Sequence, residues 1–266
     1  MKPIWNPQLV YDRYFSSGTY TARYPVYNQR SLDVILSYTQ NVNYVLDFGC
    51  GEGRYTLPIL QHTSASVIAC DISTHAIAHL KQKLSACPVH WSDRTTLIEG
   101  EVHQITGQVQ LDVVIAMFGV LSHIAGQKNR IELLQTLRHL LHANGKGVLI
   151  ISVPNARRRF FGEQMRHRLF REYYASGSMA SEPGDIVYSR TFKNQETYEM
   201  YYHLYTVTSL KHELQEAGFQ IKTTMAESVF AESTVTRNPL FHDLDKNLTA
   251  VAPACLGYGI LAIATT

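Results

Sequence analysis

Short apolar runs alternate with helix-like segments through most of the chain. The runs occupy residues 44–48, 67–70, 96–98, 111–116 and 147–153. Between them, apolar residues recur every three or four positions, the spacing of one helix face; the clearest case is 130–142. Strands that are apolar on both faces and alternate with helices indicate a parallel sheet covered by helices on both sides. The pattern therefore predicts an α/β fold.

The last third of the chain departs from this alternation. Residues 209–218 are predicted to form a helix that ends at a glycine, and 219–229 and 257–264 are predicted to be strands. The stretch 155–205 is rich in Arg, Phe and Tyr and fits no strand–helix unit. We therefore predict one domain over residues 1–266, with an insertion at 155–205 that lies over one end of the sheet.

Composition narrows the classes of function. The net charge of +2 over 266 residues gives no overall preference for nucleic acid or membrane. The first residues lack the apolar run of a signal peptide, and no stretch reaches the ~20 apolar residues that span a bilayer. The four cysteines form no C-x-x-C pair and no zinc-type spacing with the histidines. We expect a cytoplasmic protein with reduced thiols, no bound metal and no membrane contact.

A glycine-rich segment follows the first apolar run. It reads VLDFGCGEGR over residues 45–54, with glycines at 49, 51 and 53. Glycine allows a tight turn and a close approach of the backbone to a ligand, as in dinucleotide-binding loops. The third glycine of the dinucleotide fingerprint is replaced by Arg54. The glycines have a competing interpretation, in which they form a strand-to-helix turn that binds no ligand. Arg54 has one too, as a surface residue at the start of the helix.

Two carboxylates accompany this loop. Asp47 precedes Gly49 by two positions, and Asp71 ends the second run 22 residues after Gly49. A carboxylate in the position of Asp71 accepts hydrogen bonds from both hydroxyls of a ribose. The acid at position 47 disfavours a pyrophosphate and favours a ligand that carries an ammonium group. S-adenosylmethionine has a ribose and an ammonium group but no phosphate, so it fits these residues better than a nicotinamide dinucleotide bound by an oxidoreductase.

Several segments together resemble the class I S-adenosylmethionine-dependent methyltransferases. The similar segments are VLDFGCGEGR (45–54), CDIS (70–73), IEGEV (98–102), LDVVIAMFGVLSHI (111–124) and GKGVLIISVPN (145–155). The resemblance implies a Rossmann-like, doubly wound, mostly parallel seven-stranded sheet with an antiparallel last strand. It also implies a transferase that uses S-adenosyl-L-methionine as its cofactor.

The resemblance assigns cofactor-binding roles along these segments. The residues are Asp47, Gly49, Cys50, Gly51, Asp71, Ile72, Glu101, Val102, Met117 and Phe118. Glu101 would face the adenine amino group, where the family more often has Asp. In similar methyltransferases the chain before the first strand folds over the cofactor, which implies an N-terminal lid at 1–40. From that lid, Tyr14 and Arg23 are expected to reach the methionine carboxylate.

Methyl transfer from a sulfonium requires little charge stabilisation because a neutral thioether leaves. Catalysis can therefore come from holding the acceptor in line with the methyl group in a site closed to water. His123, Tyr202 and His203 are the candidates for a base or for contacts with the acceptor. The competing interpretations are a structural histidine at 123 and a packed aromatic segment at 201–203.

The acceptor is predicted to be a small molecule, and a tRNA ranks second. Residues 156–172 carry six arginines against two glutamates, interleaved with phenylalanines, which is compatible with RNA, an anionic small substrate or a solvated helix. Residues 184–190 and 201–219 resemble the tail of methyltransferases that esterify carboxymethyluridine at the tRNA wobble position. The low net charge favours the small molecule. A catalytically silent domain that binds the cofactor or a partner protein is the third alternative.

Overall fold

Seven strands form one sheet in the computed structural model, which describes residues 6–105, 110–169 and 182–266. The strands in these ranges are β1 (Tyr44–Phe48), β2 (Ser66–Asp71), β3 (Thr95–Glu99), β4 (Val113–Ala116), β5 (Val148–Pro154), β6 (Asp185–Thr191), β7 (Thr197–His203), β8 (Gln220–Ser228) and β9 (Gly259–Thr265). The order in the sheet is β3-β2-β1-β4-β5-β9-β8. Strands β1 to β5 are parallel, and β9 is antiparallel to both of its neighbours. The predicted mostly parallel sheet with an antiparallel last strand is confirmed.

Helices cover both faces of this sheet. Those in the described ranges are α1 (Pro7–Ser16), α2 (Thr19–Arg23), α3 (Gln29–Thr39), α4 (Thr56–His62), α5 (Thr74–Ser85), α6 (Val89–Asp93), α7 (Gln127–Leu140), α8 (Phe161–Leu169), α9 (Val207–Glu216), α10 (Glu232–Val235) and α11 (Pro239–Val251). One apolar core joins the sheet to α7 and α9, and the other joins it to α3, α4 and α5. The predicted doubly wound arrangement is therefore present. None of these helices has the length and apolarity to cross a lipid bilayer.

The segment 230–256 differs from the sequence prediction, which placed no element there. Two helices, α10 and α11, occupy it. The start signal of α11 is visible in the sequence: the Asn238 side chain accepts a hydrogen bond from Leu240 N, and Pro239 occupies the first turn. The apolar periodicity of α11 was not recognised because several of its apolar residues face solvent, among them Leu240 and Val251.

The described part of the chain between β5 and α9 contains a second, smaller sheet. Strands β6 and β7 pair as an antiparallel hairpin, apart from the seven-stranded sheet. Apolar side chains of this hairpin pack against α1, where Val10 and Tyr14 meet Ile186, Tyr188 and Met200. The hairpin and the N-terminal helices therefore support each other. These contacts are compatible with the predicted N-terminal lid at 1–40 and the predicted insertion at 155–205.

Candidate active site

A cavity of about 660 Å³ lies at the carboxyl ends of the parallel strands, beneath α1 and α2. Its wall is built from the loops after β1, β2, β3, β4 and β5, from the N-terminal helices, from the β6–β7 hairpin and from the ends of β8 and β9. This volume is typical of a site for small molecules, and the carboxyl edge of a doubly wound sheet is where such folds bind their ligands.

The glycine loop after β1 forms one side of the cavity. Gly49, Gly51 and Gly53 have φ angles of 74°, 53° and 84°, in the region that favours glycine. A β-carbon on Gly49 would collide with Val120, and one on Gly51 would lie 3.1 Å from Cζ of Phe15. Gly49 and Gly51 line the cavity. Glycine is therefore needed here both for the turn and for the close approach of neighbouring groups.

Asp71 faces the cavity and also holds the glycine loop. One carboxylate oxygen accepts a hydrogen bond from Gly51 N at 2.8 Å, and the other accepts one from Ser73 N at 2.9 Å. Burial raises the pKa of Asp71 to about 6, although both N–H groups act against that rise. Each oxygen keeps acceptor capacity for a further donor. The sequence predicted a carboxylate at the end of β2 but not its hydrogen bond to the glycine loop.

Asp47 and Cys50 do not reach the cavity wall. Asp47 lies opposite Ala69 of β2 and Ile115 of β4, and its carboxylate accepts a hydrogen bond of 2.6 Å from the Thr56 hydroxyl. Burial raises the pKa of Asp47 to about 7. Successive side chains of a strand alternate in direction, and it is the neighbouring Phe48 that lines the cavity. Asp47 thus ties β1 to the start of α4, and Cys50 is buried beside it.

The residues predicted to surround the adenosine do line the cavity. They are Ile72, Glu101, Val102, Met117 and Phe118. The Glu101 side chain is largely exposed and lies 3.3 Å from His103. Phe118 has a φ of 66°, an unusual value for a residue other than glycine, and its N–H donates to the Ser152 hydroxyl at 2.7 Å.

Arg54 is buried, so its interpretation as a surface residue is wrong. Its side chain is 9% exposed. The guanidinium carbon lies 4.6 Å from the ring centroid of Phe118 and 5.3 Å from that of Tyr24. One nitrogen donates to Tyr24 O at 3.3 Å, and another lies 3.6 Å from a carboxylate oxygen of Glu232. The residue that replaces the fingerprint glycine therefore connects the glycine loop, the lid and α10.

Tyr14 and Arg23 of the predicted lid both line the cavity. The Tyr14 hydroxyl accepts a hydrogen bond of 3.0 Å from Arg190, and Arg23 Nε donates to the Tyr24 hydroxyl at 2.9 Å. The lid is held to the core by polar contacts as well. The hydroxyl of Thr21, for example, donates to the buried Glu52 carboxylate at 2.8 Å. The role of Glu52, in the middle of the glycine loop, was not predicted from the sequence.

His123 lies in the cavity wall, where it orients Tyr11. Its Nδ1 is 3.2 Å from Tyr201 O, so that nitrogen carries the proton that the carbonyl accepts. Nε2 then accepts the hydrogen bond from the Tyr11 hydroxyl. Burial lowers the pKa of His123 to about 3, so the ring is neutral and weakly basic at pH 7. Tyr11, which also lines the cavity, was missed in the sequence.

Tyr202 and His203 lie on opposite faces of β7. Tyr202 lines the cavity. His203 is buried on the other face, where its Nδ1 lies 2.7 Å from a carboxylate oxygen of Asp185. The same oxygen accepts a hydrogen bond of 2.7 Å from the Tyr201 hydroxyl. The structure therefore does not bring His203 to the cavity, because adjacent strand residues point in opposite directions.

The group Glu182, Asp185 and His203 is the one candidate metal-ligand set in the described part of the chain. A fixed cation already lies beside it: the Arg130 guanidinium is 2.9 Å from Glu182 and 2.7 Å from Glu213. Arg130 and Glu213 are both buried, and their opposite charges compensate each other there. These residues connect α7, α9 and the start of the hairpin.

Comparisons with known proteins find a methyltransferase domain model and methyltransferase structures that resemble this chain. Residues 46–146 match the family model described as a methyltransferase domain. These residues therefore have the sequence pattern of a methyltransferase domain. No curated protein sequence matches the chain significantly.

Solved methyltransferases share the fold over most of their length. The CcbJ methyltransferase from Streptomyces caelestis is 15% identical with a TM-score of 0.61, over 90% of this chain and 89% of that one. The glycopeptide N-methyltransferase MtfA, in complex with sinefungin, is 16% identical with a TM-score of 0.58, over 91% and 87%. A S-adenosylmethionine-dependent methyltransferase from Clostridium acetobutylicum is 12% identical with a TM-score of 0.56, over 97% and 96%.

The cavity has a second half, whose residues were mostly missed in the sequence. It is lined by Arg159, Tyr188, Arg190, Tyr202, Glu227 and Tyr258. Among these, Tyr202 was predicted as a site residue, and Arg159 was named only as one arginine of the basic stretch at 156–172. The strand order explains the division, because β1 and β2 lie on one side of β4, whereas β5, β9 and β8 lie on the other. The Glu227 carboxyl accepts a hydrogen bond of 3.1 Å from Ser31, and burial raises its pKa to about 8.

Proposed function

We propose that this protein transfers a methyl group from S-adenosylmethionine to a small-molecule acceptor bound in the same cavity. The observation that carries the proposal is the continuity of one cavity. It runs from the glycine loop and Asp71 to the wall formed by Tyr188, Tyr202 and Tyr258. A cofactor and an acceptor can therefore lie in contact, as direct transfer requires.

The residues of the first half fit this cofactor. Each carboxylate oxygen of Asp71 accepts one main-chain N–H, from Gly51 or Ser73, and can accept a further hydrogen bond. The ionised Asp71 would accept these further hydrogen bonds from the ribose hydroxyls. Gly49 and Gly51 would allow the methionine moiety to approach the backbone. Ile72, Val102 and Met117 would contact the adenine ring. When bound, the cofactor supplies a methyl group on a sulfonium.

The residues of the second half would orient the acceptor. The Tyr11 hydroxyl is held by neutral His123, and Tyr202 lies beside that histidine, with ring centroids 4.7 Å apart. With a pKa of about 3, His123 does not serve as a general base at neutral pH. We propose that these side chains position the acceptor, and that the lid excludes water from the site.

The lid and the charge distribution support a small acceptor over a tRNA. Arg157 and Arg158 are exposed, whereas Arg159 of the same stretch faces the cavity. The described part of the basic stretch presents four exposed arginines, Arg157, Arg158, Arg166 and Arg168, and residues 170 and 171 lie outside the described ranges. Because the net charge of the whole chain is +2, these arginines form a limited basic surface for a ligand whose binding depends on many phosphate contacts.

Release of S-adenosylhomocysteine tests the proposal. The protein is incubated with S-adenosylmethionine and either a fractionated small-molecule extract or total tRNA, and the product is quantified. We expect product with a small-molecule fraction and none with tRNA. Product that forms only with tRNA would support the second acceptor class. Cofactor binding without product in any arm would support the silent domain instead.

A further inference from the structure

Arg159 places an unpaired positive charge in the acceptor half of the cavity. Its guanidinium carbon lies 4.7 Å from the ring centroid of Tyr258, 5.3 Å from that of Phe160 and 5.5 Å from that of Tyr202. Its Nε is buried and, within residues 6–105, 110–169 and 182–266, has no hydrogen-bond partner. A buried polar group without a partner is costly, so this arrangement favours a ligand that accepts hydrogen bonds.

A rigid turn after β5 directs this side chain inward. The Asn155 amide donates to Cys255 O at 3.0 Å and to Gly257 O at 2.7 Å. The amide oxygen of Asn155 accepts from Arg157 N, and its main-chain oxygen accepts from Arg159 N. The turn is therefore fixed to the segment before β9. It separates Arg159 from the two exposed arginines that precede it.

Arg190 of the hairpin supplies a second positive charge nearby. Its guanidinium lies 5.4 Å from the ring centroid of Tyr14 and 5.1 Å from that of Tyr188. Burial raises the pKa of Tyr202, and the charges of Arg159 and Arg190 both act against that rise. Burial lowers the pKa of His123, and both charges lower it further. Both guanidinium groups therefore act on the same cavity wall.

The carboxyl groups of this region do not neutralise the two arginines. In the described part of the chain, no carboxylate oxygen lies within 4 Å of Arg159 or Arg190. Glu232 lies 3.6 Å from Arg54. Burial and the charge of Glu232 raise the pKa of Glu227, which disfavours its charged form, although Arg159 acts against that rise. The acceptor half therefore has an excess of positive charge inside an aromatic wall.

We propose that the methyl acceptor carries an anionic group, a carboxylate or a phosphate ester, that binds between Arg159 and Arg190, next to a planar body that packs on the surrounding tyrosines. This inference rests on the proposed function, because it assigns the acceptor to that half of the cavity. A guanidinium recognises both anions through paired N–H donors, and aromatic rings favour a flat partner.

Binding of simple probes to the protein saturated with S-adenosylhomocysteine tests this inference. The probes are benzoate, phenyl phosphate and neutral benzamide, and the dissociation constants are measured by ligand-observed NMR titration. We expect at least one anion to bind at least about tenfold more tightly than benzamide. Preference for benzoate identifies a carboxylate site, and preference for phenyl phosphate identifies a phosphate site. Equal binding of benzamide, or no binding of either anion, would overturn the proposal.

Variants locate the bound anion. Arg159→Met should weaken the preferred anion at least about tenfold, and Arg159→Lys should recover part of the loss. Arg190→Met should also weaken that anion. Arg157→Met is the matched control, because this exposed arginine lies two positions earlier in the same turn. Unchanged anion binding in Arg159→Met, or an equal loss in the control, would contradict the assignment.

The affinity for S-adenosylhomocysteine, measured first in each variant, separates this inference from the proposed function. We expect Arg159→Met to bind it as the unaltered protein does, with an unchanged circular dichroism spectrum. Loss of that affinity in Arg159→Met would mean that the arginine binds the methionine carboxylate, which overturns the inference alone. If the unaltered protein does not bind S-adenosylhomocysteine, the proposed function fails; the probes are then titrated without it, and the anion preference is judged separately.

Discussion

The two halves of the cavity differ in how the sequence builds them. The half proposed for the cofactor is made mainly by the turns after β1, β2, β3 and β4, from residues 49 to 118. The acceptor half is assembled from the turn after β5, the hairpin, and the ends of β8 and β9, which are distant along the chain. The first depends on local turns at the edge of a parallel sheet, whereas the second depends on packing between remote segments. The halves should therefore respond differently to substitution.

The largest effect is expected at the glycine loop. Gly51→Val should abolish binding of S-adenosylhomocysteine, because valine is strained at a φ of 53° and its side chain would enter the space next to Phe15. Isothermal titration calorimetry measures the binding. Gly145→Val is the matched control: its φ is 74°, but a β-carbon there meets no atom within 4 Å. The control should lose about 1–3 kcal/mol of stability and keep its affinity. Normal binding by Gly51→Val would reduce the loop to a structural turn.

Asp71→Asn should lower the affinity for S-adenosylhomocysteine at least about tenfold, because charge-assisted hydrogen bonds contribute about 1.5–3 kcal/mol each. Asp112→Asn is the control, since Asp112 also accepts two main-chain N–H groups, from Asn43 and Tyr44, at the opposite end of β1. Calorimetry on both variants separates ligand binding from loop anchoring. Equal affinities for the two variants would remove the ribose role of Asp71.

The affinity for S-adenosylhomocysteine should also depend on pH through Asp71. Its pKa is raised to about 6, so the carboxylate is ionised above pH 6 and protonated below it. The ionised form is the better acceptor, and the dissociation constant should therefore rise as the pH falls from 7 to 5. Titrations from pH 7 to pH 5 check this. The dissociation constant should still rise with falling pH in Asp47→Asn, and it should not change with pH in Asp71→Asn. A flat profile in the unaltered protein would exclude Asp71 as the titrating contact.

A purely structural effect is expected from His203→Ala. The change removes a partner of the buried Asp185 carboxylate, and the free energy of unfolding should fall by about 1–3 kcal/mol. Cofactor affinity should stay within twofold, because His203 lies on the far face of β7. Urea unfolding and calorimetry measure the two quantities. A tenfold loss of affinity with no loss of stability would return His203 to the site.

The smallest effect on binding is expected from Asp47→Asn. The side chain is hydrogen-bonded to Thr56 and lies away from the cavity wall, so affinity should change less than threefold. A change comparable to that of Asp71→Asn would show that Asp47 contacts the ligand. This comparison also tests how much of the loop's selectivity comes from charge rather than from backbone shape.

The fold and most residues that line the half of the cavity proposed for the cofactor were predictable because their signals are local. Apolar runs and glycine positions identify the strands and the turn, and Asp71 ends a strand whose place beside β1 follows from the fold. The direction of a side chain was harder to predict. Asp47 and His203 were assigned to the ligand although each points to the opposite face of its strand.

Burial by remote segments was not predictable from the same signals. From the sequence, Arg54 could be a surface residue and Arg159 part of a solvated helix. In the structure, each is enclosed by aromatic rings that come from distant parts of the chain. No periodicity or spacing indicates such an enclosure, because it depends on how the lid and the hairpin pack on the sheet.

A titration of S-adenosylhomocysteine into the unaltered protein, repeated with NAD, tests the central claim most directly. The account predicts saturable one-to-one binding of S-adenosylhomocysteine and no binding of NAD, because the loop has Arg54 in place of the third fingerprint glycine. Binding of NAD without binding of S-adenosylhomocysteine would contradict the account.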